Sequence, residues 1–183
     1  MQQDKIQEAA QQLAASSRKP ANDGNRRGAL VIIDQQPPVA DNTTIMLYTV
    51  KTRAVDERQP TAYFSLGLTN VQVCNRLIAI QTGIDQQHID DGTLTDDEWK
   101  MLDEKLPQLM QSPLYIDDTE AMPLADLQRK MADLAQDNGV NFMVIDHAQR
   151  VTADGLATAD ILTALQHTAE DLRVVAIAIV DKD

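Results

Sequence analysis

The chain has 183 residues, of which 43% are hydrophobic and only 3% aromatic, so it can form one domain with an aliphatic core. Its net charge of −12 argues against direct nucleic-acid binding, and no apolar run reaches the roughly 20 residues that a membrane helix needs. The polar N-terminus lacks a signal-peptide core and the single cysteine excludes a disulfide framework, so we expect a cytoplasmic protein.

The predicted elements alternate between helices and strands along the chain. In order, they begin with a helix over 4–15, a linker over 16–28, a strand over 29–33, a helix over 43–53, a strand over 61–66 and a helix over 70–81. A further helix begins after Thr95, where Glu98 completes a capping box and Trp99 opens the apolar face. The remaining elements are strands over 114–116, 141–145 and 174–180 and helices over 123–136 and 157–172. We therefore predict an N-terminal helix and linker over 1–27 and one α/β domain over 28–183.

Charge is unevenly distributed over these elements. Between Asp85 and Asp126, twelve acidic residues stand against two basic ones, Lys100 and Lys105, a net charge of −10. The basic cluster lies in the predicted linker and comprises Arg18, Lys19, Arg26 and Arg27. An acidic run of this kind usually forms a solvated surface, and it repels phosphate backbones.

Unbroken aliphatic strands separated by helices indicate a parallel sheet covered on both faces. In such sheets, ligands bind beyond the carboxyl ends of the strands. The positions that follow the strands are 34–43, Gly67, Asp117-Asp118, Asp146 and Asp181. We expect Cys74, on the 70–81 helix, to be a small core residue.

Four strings follow one another in order: FSLGLTNVQVCNRLIAIQTGI (64–84), GTLTDDEW (92–99), SPLYIDDT (112–119) and VIDHAQ (144–149). Together they resemble the C-terminal motor domain of DnaB-type replicative DNA helicases. The resemblance implies a RecA-like P-loop NTPase fold, with a mainly parallel sheet flanked by helices but without the last strands of the helicase domain. It also implies ATP and Mg²⁺ as the family's cofactors and replication as its context.

The P-loop (Walker A) pattern of this family, G-x-x-x-x-G-K-[ST], falls on residues 35–42. Backbone amides next to its glycines wrap the phosphates, its lysine reaches them, and its hydroxyl binds Mg²⁺. Here the four defining positions hold Gln35, Ala40, Asp41 and Asn42. The loop is therefore degenerate, and an aspartate in place of the lysine repels a polyphosphate.

Two further features of this loop bear on nucleotide binding. Pro37 and Pro38 supply no amide donors, and only a register shifted by one residue would let Thr43 supply the hydroxyl. No lysine comes with that shifted register. We expect no bound cofactor at residues 35–43.

Other catalytic positions implied by the resemblance are also changed. Gly67 replaces the glutamate that polarises the attacking water, and Asp181 replaces a sensor glutamine. Gln166 stands where a lysine is usual, Arg150 is the one cation near the shortened DNA-facing segment, and we expect no arginine finger after Asp183. The predicted set of catalytic residues is therefore empty.

Two positions match the family. Asp146 corresponds to the aspartate that helps to hold Mg²⁺, although a carboxylate can also simply cap the next segment. Gln149 corresponds to the glutamine that links nucleotide state to the DNA loops, and without a nucleotide we expect a structural role for it. Asp117-Asp118 is interpreted as a strand-end feature, and the three histidines, His88, His147 and His167, are too scattered for a metal-ligand pattern.

These observations leave three interpretations. The chain is either a non-catalytic relative that binds replicative helicase subunits, or an active ATP-dependent DNA helicase domain, or a self-oligomeric scaffold that uses the acidic surface and the 4–15 helix. The changed P-loop and Gly67 favour the first, a pseudo-ATPase that acts as an interaction or regulatory module in replication.

Overall fold

The computed structural model describes residues 28–35 and 42–181. The predicted 4–15 helix, the basic cluster of the linker and residues 36–41 lie outside the described residues. In the described ranges, none of the helices combines the length and the apolar character that crossing a membrane requires.

The sheet consists of five strands. They are β1 (Ala29–Gln35), β2 (Thr61–Ser65), β3 (Leu114–Asp117), β4 (Phe142–Asp146) and β5 (Val175–Asp181). Their order across the sheet is β1-β5-β4-β2-β3, and every neighbouring pair is parallel. The predicted parallel sheet is confirmed, and the carboxyl ends of all five strands meet at one edge.

The helices of the described ranges connect these strands. They are α1 (Asn42–Lys51), α2 (Asn70–Thr82), α3 (Gln86–Asp91), α4 (Asp96–Met110), α5 (Leu124–Asp137) and α6 (Thr158–Leu172). A π-helical turn (Thr52–Asp56) continues α1, and a short 3₁₀ helix (Ala148–Arg150) follows β4. Within the described ranges, the predicted helices are thus present within a few residues of their expected bounds, while α3 was not predicted.

Apolar side chains fill both faces of the sheet. Phe64 packs on one face with Met131 of α5 and Leu165 of α6, and the preceding residue, Tyr63, packs on the other face with Leu47 of α1. All five side chains are essentially inaccessible to solvent. Successive strand residues point to opposite faces, which is why one apolar run can serve two cores.

The first strand differs from its prediction. The apolar run of β1 indicates a buried strand, but β1 lies at the edge of the described sheet, and its Val31 and Ile32 are 44% and 48% exposed. Hydrophobicity predicts that a segment forms a strand, but the order of strands depends on contacts with residues far along the chain. The burial expected for β1 was therefore wrong.

The expected burial of helix residues fails where a helix does not pack directly on the sheet. Helix α4 packs on α2 and contains no buried residue, so Trp99, expected on its apolar inner face, is 51% exposed. Its predicted capping box is confirmed, because the Thr95 hydroxyl accepts from the Glu98 amide and the Glu98 carboxylate accepts from the Thr95 amide. Cys74 lies on α2 as expected but is only partly buried, so it is not a core residue.

Candidate functional site

Asp146, the last residue of β4, is the centre of the candidate site. Its side chain is completely inaccessible to solvent. The Thr43 hydroxyl of α1 donates to both carboxylate oxygens, at 3.1 Å from Oδ1 and 2.9 Å from Oδ2. The Tyr63 hydroxyl of β2 donates to Oδ2 at 2.6 Å, and Nδ1 of His147 lies 3.2 Å from Oδ1. Three side chains from three segments of the chain therefore surround one buried carboxylate.

The electrostatics of Asp146 follow from these contacts. Burial by itself raises the pKa of Asp146, because desolvation disfavours the charged form. The nearby imidazole of His147, together with the hydrogen bonds from Tyr63 and Thr43, outweighs burial and holds the pKa below its ordinary value. The group is thus an ionised carboxylate that the protein itself stabilises.

Gly67 follows β2 and lies directly against His147. A Cβ atom placed on Gly67 would be 2.7 Å from Nδ1, 2.8 Å from Cγ and 2.9 Å from Cε1 of the imidazole. Real Cβ atoms essentially never come within 3.0 Å of another group. The ring of His147 therefore fills the space in which any side chain at position 67 would begin.

The backbone on both sides of this contact is held in place. His147 adopts the left-handed conformation (φ 60°), which is uncommon for a residue with a side chain and turns the chain sharply after β4. The Ser65 hydroxyl donates to the Leu68 carbonyl at 2.7 Å and accepts from the Leu68 amide at 3.2 Å. Arg150 donates to the Leu66 carbonyl at 3.2 Å, so the loop around Gly67 is tied to the segment after His147.

The predicted P-loop residues are only partly within the described ranges. Gln35 ends β1 and pairs in register with Asp181, and Asn42 is the first residue of α1. Pro37, Ala40 and Asp41 lie outside the described residues. Thr43, which would supply the hydroxyl only in the register shifted by one residue, contacts Asp146. In that register Asn42 would stand at the lysine position.

The other predicted positions have structural partners. Gln149 lies partly buried in the short 3₁₀ helix, two residues beyond His147. Asp117 accepts from Lys130 and from Thr119, and these bonds hold its pKa below the ordinary value although burial raises it. Asp118 accepts from the Asn70 amide at the start of α2 at 2.6 Å. Asp117 and Asp118 are thus strand-end residues that stabilise the local structure.

Sequence reasoning missed Tyr63 and His147 as partners of Asp146. Tyr63 lies 83 residues away and sits in an aliphatic strand, where an aromatic residue is first interpreted as core packing. His147 was considered only as a metal ligand and not as a neighbour of Gly67. The pattern Ile-Asp-His at the end of a strand, with a glycine after the neighbouring strand, was the one available signal.

The residues fit Mg²⁺–ATP poorly. A hydroxyl beside a carboxylate, as in Thr43 and Asp146, suits Mg²⁺, but Tyr63 and His147 also engage the two carboxylate oxygens. No lysine or arginine occurs between Gln35 and Thr44 in either register. Within the described ranges, no group of three or more His, Cys, Asp or Glu side chains could hold a metal ion.

Comparisons with known proteins agree with this architecture. The family model of the DnaB-like helicase C terminal domain matches residues 19–181. The replicative DNA helicase DnaB of Geobacillus stearothermophilus is 28% identical over 163 residues, which cover 85% of this chain and 36% of that protein. The chain thus spans about a third of the length of the curated relative.

Solved structures give the same result. A solved ATPase domain superposes on the chain with a TM-score of 0.75 at 21% identity, covering 85% of this chain and 57% of that one. A DnaB-like replicative helicase, solved in a study of its interactions with primase, gives a TM-score of 0.73 at 20% identity, covering 85% and 40%. These likenesses confirm the predicted RecA-like fold.

Proposed function

The chain belongs to the DnaB-like helicase C-terminal domain family, and from this premise we propose that it is a non-catalytic member that acts as an interaction module in DNA replication. The observation that carries the proposal is the contact of Gly67 with His147. Hydrolysis needs a group that polarises the attacking water within hydrogen-bond reach. Glycine has no such group. The imidazole of His147, which fills the space beside Gly67, directs its Nδ1 to the Asp146 carboxylate at 3.2 Å.

The phosphate side of the site supports the same proposal. The lysine that reaches the β- and γ-phosphates is replaced by Asp41 or, in the shifted register, by Asn42. The first would repel a polyphosphate, and the second offers no positive charge. Neither residue substitutes for an ammonium group, so we propose that no ATP and no Mg²⁺ act as cofactors.

Exposed apolar residues on α4 support an interaction role. Trp99 and Met110 are 51% and 76% exposed. They are eleven residues apart, which is three helical turns, so they share one face of α4 about 16 Å apart. Each exposed apolar residue alone is ordinary. Both lie on a helix that buries no residue, so this face of α4 is open to a partner. We propose that this partner is a replicative helicase subunit or a second copy of the chain.

One observation favours the alternative, an active ATP-dependent helicase domain. Thr43 donates to Asp146, and this pair of side chains is what a Mg²⁺–nucleotide site requires of the hydroxyl and the carboxylate. The alternative still needs a lysine, a general base and a trans-acting arginine from elsewhere.

Calorimetric titration with ATP and Mg²⁺, paired with an ATPase assay, separates the two functions. We expect neither binding nor turnover, and we expect the same of the Thr43→Val variant. Micromolar binding, or turnover that disappears in both Thr43→Val and Asp146→Asn, would overturn the proposal.

The interaction role has its own test. Purified DnaB-type helicase and the chain itself are offered in separate pull-downs, with Trp99→Ala/Met110→Ala compared with the polar-surface control Asp154→Ala. We expect capture that the α4 variant loses and the control retains. Capture of neither partner would contradict the interaction role.

A further inference from the structure

The strand β3 is the second edge of the described sheet. It pairs only with β2, and the Thr61 amide of the β2 side donates to the Pro113 carbonyl at 3.0 Å. Because alternate residues of a parallel strand direct their amide and carbonyl groups to the same side, Tyr115 faces β2 and the backbone groups of Leu114 and Ile116 face outward. An edge of this kind can accept a further strand.

A groove of about 500 Å³ runs beside this edge, between β3 and α5. Its accessible apolar lining includes Leu114, Tyr115 and Leu134. Asp117, Lys130 and Asp133 line its polar side. The groove therefore provides an apolar binding surface next to backbone groups of β3 that pair with no strand of the described sheet.

The charged side chains around the groove differ in whether they are paired with an opposite charge. Lys130 donates to Asp117 and to the Thr119 hydroxyl, so its positive charge is already compensated. Asp133 and Asp137 lie one helical turn apart on α5, and neither forms an ion pair with any described residue. The uncompensated charge beside β3 is therefore negative.

The geometry of α5 aligns these acids with the strand edge. Lys130 meets Asp117 at the carboxyl end of β3, and α5 runs antiparallel to the strand, so Asp133 and Asp137 follow toward the amino end of β3. Residues four apart on a helix are about 6 Å apart along its axis. Alternate side chains of an extended chain repeat at about 6.6 Å, a closely similar spacing.

We propose that β3 and this groove bind an extended basic segment of a partner protein as an additional strand. Its backbone pairs with Leu114 and Ile116, one apolar side chain enters the groove against Leu134, and Lys or Arg side chains at alternating positions pair with Asp133 and Asp137. Backbone pairing supplies affinity in such complexes, and the side-chain pockets supply specificity. This surface is built from β3 and α5, so the inference is independent of whether the Asp146 site binds nucleotide.

A fluorescently labelled peptide, Thr-Leu-Thr-Lys-Thr-Lys-Thr, provides the test by anisotropy. We expect the peptide to bind the wild-type chain saturably. A peptide with both lysines replaced by glutamate should bind at least tenfold more weakly. A peptide whose backbone amides are N-methylated along the edge that pairs with β3 should show a similar loss of affinity. In amide NMR spectra, we expect the largest shifts at Leu114 and Ile116.

A matched pair of variants locates the binding site. Asp133→Lys/Asp137→Lys reverses two exposed charges beside the groove and is expected to weaken binding about tenfold. Asp103→Lys/Glu104→Lys makes the same change in net charge on α4, across the sheet, and is expected to leave binding within twofold. All four positions are exposed, and circular dichroism checks that both variants fold.

Three results would overturn the proposal. They are equal binding of the glutamate peptide, equal binding of the N-methylated peptide, and equal weakening by the α4 control. The first would show that charge does not select the partner, the second that no strand pairing occurs, and the third that net charge alone drives association.

Discussion

The carboxyl end of β4 and the outer edge of β3 differ in whether the protein itself supplies hydrogen-bond partners for their polar groups. At β4, the buried carboxylate of Asp146 is met by three side chains, and Gly67 is covered by an imidazole. At β3, the backbone groups of Leu114 and Ile116 and the carboxylate of Asp133 face outward beside an open groove. The carboxylate of Asp146 is thus engaged by groups of the protein itself, whereas the outward groups of β3 have no partner strand in the described sheet.

The largest expected change in the free energy of unfolding comes from removing the carboxylate of Asp146. Replacing Asp146 by Ala leaves the Thr43 and Tyr63 hydroxyls without their acceptor in a buried place, and we expect it to lower the free energy of unfolding by about 3–5 kcal/mol. Urea unfolding followed by circular dichroism measures this. Asp133→Ala, at the open groove, is the control, and its effect should stay within about 0.5 kcal/mol. Equal effects at the two aspartates would remove the contrast between the regions.

The second prediction tests whether the imidazole of His147 occupies the volume that a side chain at position 67 would need. Gly67→Ala places a Cβ 2.7 Å from the ring, so we expect a loss of about 1–3 kcal/mol in the free energy of unfolding. In the His147→Ala background, the same substitution should cost much less, giving a coupling of about 1 kcal/mol or more in a double-mutant cycle. Additive effects would contradict the shared space.

The third prediction concerns pH. The pKa of Asp146 is lowered in the folded state, so its stabilising contribution is complete above the unfolded value of about 3.9 and is lost as the pH falls through the folded pKa. We expect the unfolding free energy to fall below pH about 4, and to fall less steeply in Asp146→Asn. Urea unfolding at several pH values between neutral and acidic measures both slopes. Identical slopes would mean that Asp146 does not contribute.

The smallest expected effect concerns an exposed pair of side chains on α3 and α4, His88 and Glu98. His88 at the end of α3 lies 2.8 Å from Glu98, and the hydrogen bond and charge of Glu98 raise the pKa of His88 above its ordinary 6.5. The stabilisation is present below that value and fades as the pH rises through the raised pKa. An NMR titration of His88 should show the raised pKa. The Glu98→Gln variant keeps a side-chain oxygen that can accept from the Thr95 amide but loses the negative charge, so it should return the pKa of His88 toward 6.5. An unchanged pKa would contradict the pairing.

Local signals predicted local structure well. The Thr95 and Glu98 capping box is present as expected. It depends on two residues only three positions apart. The short α3 has no buried residue and no apolar period, so no hydrophobic pattern indicated it.

Contacts between distant segments were not predictable in this way. The Thr43 bond to Asp146 joins residues 103 positions apart, and no local pattern in the sequence indicated it. The edge position of β1 likewise depends on which strands pair, and its aliphatic sequence is equally compatible with a central place. The parallel sheet was predictable because strand and helix alternation constrains topology strongly. The RecA-like fold was predictable only from the resemblance of the four strings to the helicase family.

The contact of Gly67 with His147 also has an evolutionary consequence. A single substitution that restored glutamate at position 67 would meet the imidazole at once, and a single loss of His147 would leave a gap without restoring any chemistry. Under the proposal that the chain is non-catalytic, at least two coordinated substitutions, at positions 67 and 147, therefore separate it from a chain with a carboxylate at position 67.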